Sequence, residues 1–314
     1  MKKVAFVYPG QGSQVVEMGK DLYEEYQQVR ELFDTANERL GYDLTSIMFE
    51  GPKDELTKTE NTQPALLSVS TAITKILEEN GITPSVTSGH SLGEYSALVT
   101  ANAVSFSDAV SLVHQRGKLM ESAYPEGKGS MAAVLGMDQV TLSKELQNIS
   151  EQVDDIIEIA NLNCPGQIVI SGAKSAIDTA VDQLKSAGAK RVLPLPVSGP
   201  FHSSLMKPAA EEFQQLVHNI NWSDAEIPVY ANVTAEKVIE KEQIKQLLVE
   251  QLYSPVRFEE IIEQLLDESL DAIVEVGSGK VLTGLVKKIN RRAKTFTVQD
   301  ATTLTEFMEW MKED

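Results

Sequence analysis

The stretch Thr87 to Glu94, TSGHSLGE, holds one serine between two glycines, Gly89-His90-Ser91-Leu92-Gly93. A G-x-S-x-G that joins a strand to a helix forms a nucleophile elbow. The turn is tight enough that only glycine fits on either side of the serine. It lifts the hydroxyl to the carboxyl edge of a sheet, at the N-terminus of the next helix. That helix end carries unpaired N–H groups and partial positive charge, which favour a developing oxyanion. Such a short pattern also recurs by chance, so a structural glycine turn is the competing reading.

A serine nucleophile needs a base within hydrogen-bond reach. His90 leaves the turn in the opposite direction from Ser91. His114 falls inside a helical pattern, and His218 near a helix C-terminus, where a cation is favoured electrostatically. His202, in SGPFHSSLM, falls in the loop between a strand ending at Val197 and a helix starting near Leu205. That is the carboxyl end of a strand, where α/β sheets hold their sites. A polar helix-entry residue is the plainer alternative. No acid between Ser91 and His202 is an evident third member. A Ser–His dyad is expected, with a carbonyl orienting the imidazole.

Arg116 suggests the substrate. In the helix from Ser107 to Met120 it shares a face with Ala109, Leu112, Val113 and Met120. A buried guanidinium without a partner is too costly to keep. It snorkels, pairs with a protein carboxylate, or awaits an anionic acyl group, with water as its partner until then. A guanidinium grips a carboxylate through two parallel hydrogen bonds. The glycine loop YPGQGSQ, Tyr8 to Gln14, lacks the Lys-Ser/Thr ending of a phosphate loop, and Val15 stands where the dinucleotide pattern wants Gly or Ala. Backbone N–H groups offered to an oxyanion are the alternative use for it, and a plain turn remains open.

These residues need a sheet to hold them. Lys3–Tyr8 reads as a buried strand. A long helical pattern runs from Val16 to Leu40, and Gln63-Pro64 opens a helix that ends at Gly81. Ser85–Ser88 is a strand, and Leu92–Thr100 and Ser107–Met120 are helical. Strands alternating with helices predict a mostly parallel sheet with helices on both faces. From Met131 to Val197 the order changes to β-α-β-β-α-β, the ferredoxin-like split. The expected organisation is a large α/β domain of residues 1–127 and 198–314, interrupted by a small α+β subdomain, 128–197. Strands are expected again at Ile227–Asn232 and Ala272–Val276, and a helix from Leu205.

Composition removes several classes of function. The chain has 314 residues, with 28 basic against 46 acidic side chains, so its net charge of −18 repels nucleic acid and anionic membrane. No apolar run reaches the ~18 residues of a membrane span, and Val4–Tyr8 is too short for a signal segment. One cysteine, Cys164, excludes an internal disulfide and a thiolate metal cage. The four histidines lack metal-ligand spacing. A soluble cytoplasmic protein is expected, with no membrane association and no metal.

Together these segments resemble the malonyl-CoA:acyl carrier protein transacylases of fatty acid synthesis. The resemblance runs through PGQGSQ, NTQPAL (Asn61–Leu66), GHSLGE, QRG (Gln115–Gly117), NCPGQIVISG (Asn163–Gly172), PFHS (Pro200–Ser203) and QLYSPVRF (Gln251–Phe258). It implies a hydrolase-like α/β domain with a ferredoxin-like insert. It implies Ser91 as nucleophile and His202 as base, with the backbone N–H groups of Gln11 and Leu92 as the oxyanion hole. Arg116 would hold the malonyl carboxylate, Gln251 would orient His202 through its carbonyl, Gln63 would line the pocket, and Phe201 would favour malonyl over methylmalonyl. Asn161 or Asn163 would also reach the site. The implied partners are malonyl-CoA and holo acyl carrier protein. The carrier would dock on Lys190 and Arg191 or on Lys287, Lys288 and Arg291 of KKINRRAK. No cofactor and a monomer are expected. The rivals are a serine hydrolase or thioesterase, with water as acceptor, and a non-catalytic carrier-binding module.

Overall fold

The computed structural model describes residues 2–125, 127–197 and 199–313. Strand β1 (Val4–Tyr8) is buried throughout. Val4, Phe6 and Tyr8 enter one core and Ala5 and Val7 another, on the opposite face of the sheet. A strand covered on both faces reads as a continuous apolar run, not an alternating one.

Next come α1 (Lys20–Glu25) and α2 (Gln27–Leu40), where one helix from Val16 is expected. The chain breaks at Tyr26, extended at φ −114° and ψ 123°. Arg30 Nη1 donates to the carbonyls of Tyr23 (2.7 Å) and Glu24 (3.0 Å) at the end of α1. Both helices turn apolar residues inward, Leu22 from one and Val29, Leu32, Phe33 and Ala36 from the other, so the periodicity hid the break. Short helices α3 (Leu44–Glu50) and α4 (Lys53–Thr57) lead into α5 (Thr59–Glu79). Gln63-Pro64 lies inside α5 and does not open it. Proline has no N–H to give to the Glu60 carbonyl. His114 Nδ1–H takes that acceptor instead, at 2.9 Å.

Strand β2 (Val86–Gly89) is followed by α6 (Gly93–Thr100) and α7 (Phe106–Ser122). Then β3 (Gly129–Leu135), α8 (Gln139–Val153), β4 (Ile157–Cys164), β5 (Gln167–Ala173), α9 (Lys174–Ser186) and β6 (Arg191–Pro194) build a second sheet. Its order is β4-β5-β3-β6, with every neighbouring pair antiparallel. It has its own core, including Leu142, Leu146, Ile170, Ile177 and Leu184. Strand β6 stops three residues short of the expected Val197.

A 3-10 turn at Ser204–Met206 and α10 (Lys207–His218) return the chain to the first sheet. There follow β7 (Val229–Tyr230), β8 (Lys237–Val238), α11 (Lys241–Glu250), α12 (Phe258–Asp267), β9 (Ala272–Val276), α13 (Val281–Ile289), β10 (Thr295–Val298) and α14 (Ala301–Lys312). The six strands run β10-β9-β1-β2-β7-β8, and only β8 is antiparallel to its neighbour. Among the described residues no helix is long and apolar enough to cross a membrane.

Parallel pairing sets Tyr8 beside Gly89, so the segments after β1 and β2 leave the sheet together. They approach so closely that side chains are excluded. A Cβ on Gly93 would lie 2.0 Å from the Tyr8 carbonyl oxygen, and one on Gly10 would lie 2.4 Å from the His90 carbonyl oxygen. Both contacts are with backbone, which cannot rotate away. Gly93→Ala is therefore expected to destabilise the protein by about 1–3 kcal/mol or more. Chemical denaturation checks this, and an unchanged midpoint would show that the two segments can separate at no cost.

Candidate active site

Ser91 sits at the turn between β2 and α6 with φ 51°, a left-handed conformation that costs a serine energy. Asn232, just after β7, holds it there. Asn232 Oδ1 accepts from Ser91 N at 2.7 Å, and Asn232 Nδ2 donates to the Gly89 carbonyl at 2.7 Å. With its own N–H spent on Asn232, Ser91 presents its hydroxyl at the N-terminus of α6.

His202 reaches that hydroxyl, with Nε2 2.8 Å from Ser91 Oγ. His202 Nδ1–H donates to the backbone carbonyl of Gln251 at 2.7 Å, which leaves Nε2 as the basic nitrogen. The partner of Nδ1 is thus a backbone carbonyl and not a carboxylate. His202 also has positive φ, 58°, and is fixed on both sides. Its N–H donates to the Leu252 carbonyl (3.1 Å). Two residues on, Ser204 N and Oγ donate to the Glu158 carboxylate at 2.7 and 2.9 Å. Glu158 belongs to β4, so the second sheet anchors the segment that brings His202 to Ser91.

Arg116, only 1% exposed, is the largest fully buried side chain. Among the described residues none of the ion pairs includes it. The expectation that water would partner it is corrected by three protein oxygens. Its Nη1 donates to Gln63 Oε1 (2.8 Å), and its Nη2 to Gln251 Oε1 (2.9 Å) and Ser91 Oγ (3.1 Å). The guanidinium also lies over the Tyr95 ring, 5.3 Å from its centre. Neutral oxygens take Nη1 and Nη2 without cancelling the charge, and Nε is buried with no hydrogen-bond partner among the described residues.

That charge acts on its neighbours. Burial, reinforced by the Arg116 cation, pushes the His202 pKa down to about 3. Glu94, on α6 behind the serine, is also buried, and burial raises its pKa to about 7, against the pull of Asn232, Gln251 and Arg116.

A cavity of about 100 Å³ lies over the serine, lined by Gln11, Leu92, Arg116, Met120, Asn161 and Phe201 among others. His202 lines it too, and on its other side it borders a groove of about 750 Å³ with Ser204, Lys207 and Tyr253. Gln63 reaches the site through Arg116. Asn161 faces the cavity, whereas Asn163 Oδ1 accepts from His90 Nε2 at 2.8 Å. The His90 ring packs against Phe258, and His90 also lines the cavity, although it is not the partner of the serine hydroxyl.

The basic residues stand apart from this cavity. Lys287 and Lys288 end α13, with Arg291 just beyond. Lys288 Nζ donates to Gln167 Oε1 at 2.6 Å. Gln167 pairs with Leu135, and Leu135 with Arg191, so both candidate clusters share one end of the second sheet.

Four contributors escape the sequence reading: Glu94, Tyr95, Asn232 and Glu158. Glu94 left a signal, since it is the only charged residue in GEYSALVT. Asn232 and Glu158 left none, because distant pairing brings them in.

The lowered His202 pKa means the folded state prefers a neutral ring. The stability this gives is present above the ordinary value of 6.5 and is lost as pH falls toward about 3. Imidazole nitrogen shifts are expected to report a neutral His202 from pH 8 down to pH 5. A ring that titrates near 6.5 would show that Arg116 and burial do not govern the base.

The acyl transferase domain family model matches residues 5–306. The malonyl CoA-acyl carrier protein transacylase of Bacillus subtilis (strain 168) is 52% identical over 314 residues, covering 100% of this chain and 99% of the relative. That of Staphylococcus aureus (strain MRSA252) is 49% identical over 314 residues, with 100% of both covered. The solved structure of the Coxiella burnetii malonyl CoA-acyl carrier protein transacylase superposes with a TM-score of 0.96 at 36% identity, covering 99% of this chain and 98% of that one. A malonyl-transacylase solved in complex with a type II PKS acyl-carrier protein gives 0.95 at 42% identity, covering 98% and 99%. The family model and these relatives run the length of the sequence, and the chain is a member of the malonyl-CoA:acyl carrier protein transacylase family.

Proposed function

We propose that this protein transfers a malonyl group from malonyl-CoA to the phosphopantetheine thiol of acyl carrier protein, through a malonyl ester on Ser91. The observation that carries the reading is Arg116 Nη2 at 3.1 Å from the hydroxyl that His202 also contacts. The curated relatives named above are malonyl CoA-acyl carrier protein transacylases, and one similar malonyl-transacylase is solved with its acyl-carrier protein.

Ser91 Oγ attacks the thioester carbonyl carbon while its proton passes to His202 Nε2. The oxyanion is held by the backbone N–H groups of Gln11 and Leu92. As it collapses, the carbon–sulfur bond breaks and the CoA sulfur leaves with the proton from His202. The carrier thiol then gives its proton to His202 and attacks the ester, and Ser91 recovers its hydrogen. This is ping-pong acyl transfer. Loss of such a base costs about 10²–10⁴-fold.

The malonyl carboxylate takes the Arg116 donors that the free enzyme gives to Ser91 Oγ or, at Nε, leaves without a partner, while the Gln63 and Gln251 oxygens keep theirs. Charge-assisted bonds are roughly twice as strong as neutral ones, so the exchange is favourable. It also offsets the positive charge that weakens His202, so the bound substrate makes its own base stronger. Acetyl-CoA brings no such charge, and a hydrolase acting on neutral acyl groups has no use for the arginine. Phe201, buried beside the serine, leaves little room for a branched acyl chain. The same reading takes residues 128–197 as a subdomain, and the enzyme as a cytoplasmic monomer. The one cysteine is free and buried.

Arg116→Ala is expected to lower malonyl transfer about a hundredfold or more, while acetyl transfer holds or rises. Arg116→Lys recovers part of the loss, since an ammonium lacks the bidentate fork. Single-turnover acylation with each thioester checks this, and an unchanged malonyl preference would assign the carboxylate to another residue.

For the carrier, Lys190, Arg191, Lys287, Lys288 and Arg291 supply local positive charge against the net −18. Reversing Lys287 and Arg291 to glutamate is expected to raise the KM for carrier protein several-fold at low salt and to leave loading from malonyl-CoA intact. Unchanged carrier kinetics would put the dock elsewhere.

A further inference from the structure

Gln251 contacts both halves of the machinery. Its backbone carbonyl holds His202, and its side-chain oxygen accepts from Arg116. A side-chain amide has two ends of nearly the same shape and opposite character. Turned over, this one would point an N–H at the guanidinium. Something must therefore fix which end faces Arg116.

Glu94 is the group placed to do so. It is 2% exposed, and its Oε2 accepts from Gln251 Nε2 at 2.7 Å and from Asn232 N at 2.9 Å. The other acceptors around Gln251 Nε2 are weaker, the Ser91 carbonyl at 3.1 Å and Asn232 Oδ1 at 3.3 Å. A buried charge-bearing group with no cation in direct contact is costly to retain. Helix α6 would be simpler with an apolar residue there.

We propose that Glu94 is a positioning residue for acyl selection: it anchors the amide nitrogen of Gln251, so that the amide oxygen, and never the nitrogen, faces Arg116. The guanidinium is thereby held in register for an incoming carboxylate. Glu94 itself touches neither substrate nor the reacting atoms. The carboxylate rests behind Gln251 instead of pairing with Arg116, so the cation stays open to the substrate. This inference rests on the malonyl-binding role of Arg116 given above.

Three variants test it: Glu94→Met, which has similar length and no strong acceptor; Glu94→Gln, which can keep an oxygen toward Gln251 and Asn232; and Gln251→Met, which keeps the backbone carbonyl for His202. Single-turnover acylation of each is measured with malonyl-CoA and acetyl-CoA, and Arg116→Ala is run in parallel. Glu94→Met is expected to lower the malonyl-over-acetyl preference about tenfold, chiefly through weaker malonyl-CoA binding. Glu94→Gln should recover most of that preference. Gln251→Met should lose about as much as Glu94→Met, and the double variant no more than either, since the two act as one unit. If Glu94→Met does not fold, the comparison of Gln251→Met with Glu94→Gln decides. Equal loss of malonyl and acetyl acylation in Glu94→Met, or a Glu94→Gln as unselective as Gln251→Met, overturns the proposal. If Arg116→Ala loses the preference and Glu94→Met keeps it, only the role of Glu94 is refuted. If both keep it, the reading of Arg116 has failed.

Discussion

Ser91 Oγ stands between two nitrogen groups, His202 Nε2 at 2.8 Å and Arg116 Nη2 at 3.1 Å. A cation so near a general base weakens that base, and a cation so deeply buried needs partners. Both demands shape the rest of the site. Arg116 is held by the oxygens of Gln63 and Gln251, which leave its charge intact and its Nε without a partner. His202 is tied through Nδ1 to a neutral carbonyl, not to an acid. A carboxylate on Arg116 would instead form a closed ion pair.

The architecture follows from keeping these three side chains at fixed separations. Ser91 rises from β2 on a strained turn, Arg116 comes from α7, and His202 arrives on a second strained residue after the smaller sheet. Strain at two positions survives only where surrounding bonds over-determine them. Asn232 does this for Ser91, and Leu252 with the Glu158–Ser204 contacts does it for His202. The inserted sheet thus anchors the base as well as covering the cavity. Arg191 lies at one end of it, where Lys288 Nζ meets Gln167.

Much of this was legible in the sequence, for a physical reason. Ser91, His202 and Arg116 each break a local rule: a serine in a glycine turn, a histidine at a strand's carboxyl end, a cation on an apolar helix face. Strands buried on both faces, such as Val4–Tyr8 and Ala272–Val276, declare themselves by unbroken apolar runs. What stayed hidden depends on pairing between distant segments. Nothing near Asn232 or Glu158 indicates their partners at Ser91 and Ser204. The break at Tyr26 was invisible because two helices can share one apolar period, and the Pro64 boundary was misplaced because His114, from another helix, takes the carbonyl that proline abandons. The partners of Arg116 were hidden for the same reason: Gln63 and Gln251 lie far apart in the chain.

The most direct test is the intact mass of the protein after mixing with malonyl-CoA in the absence of carrier protein. The account predicts one malonyl adduct per chain, located on Ser91, with an equal amount of CoA released and the adduct persisting until carrier thiol is added. An unmodified protein, an adduct on another residue, or malonate freed to water as fast as the ester forms would contradict it.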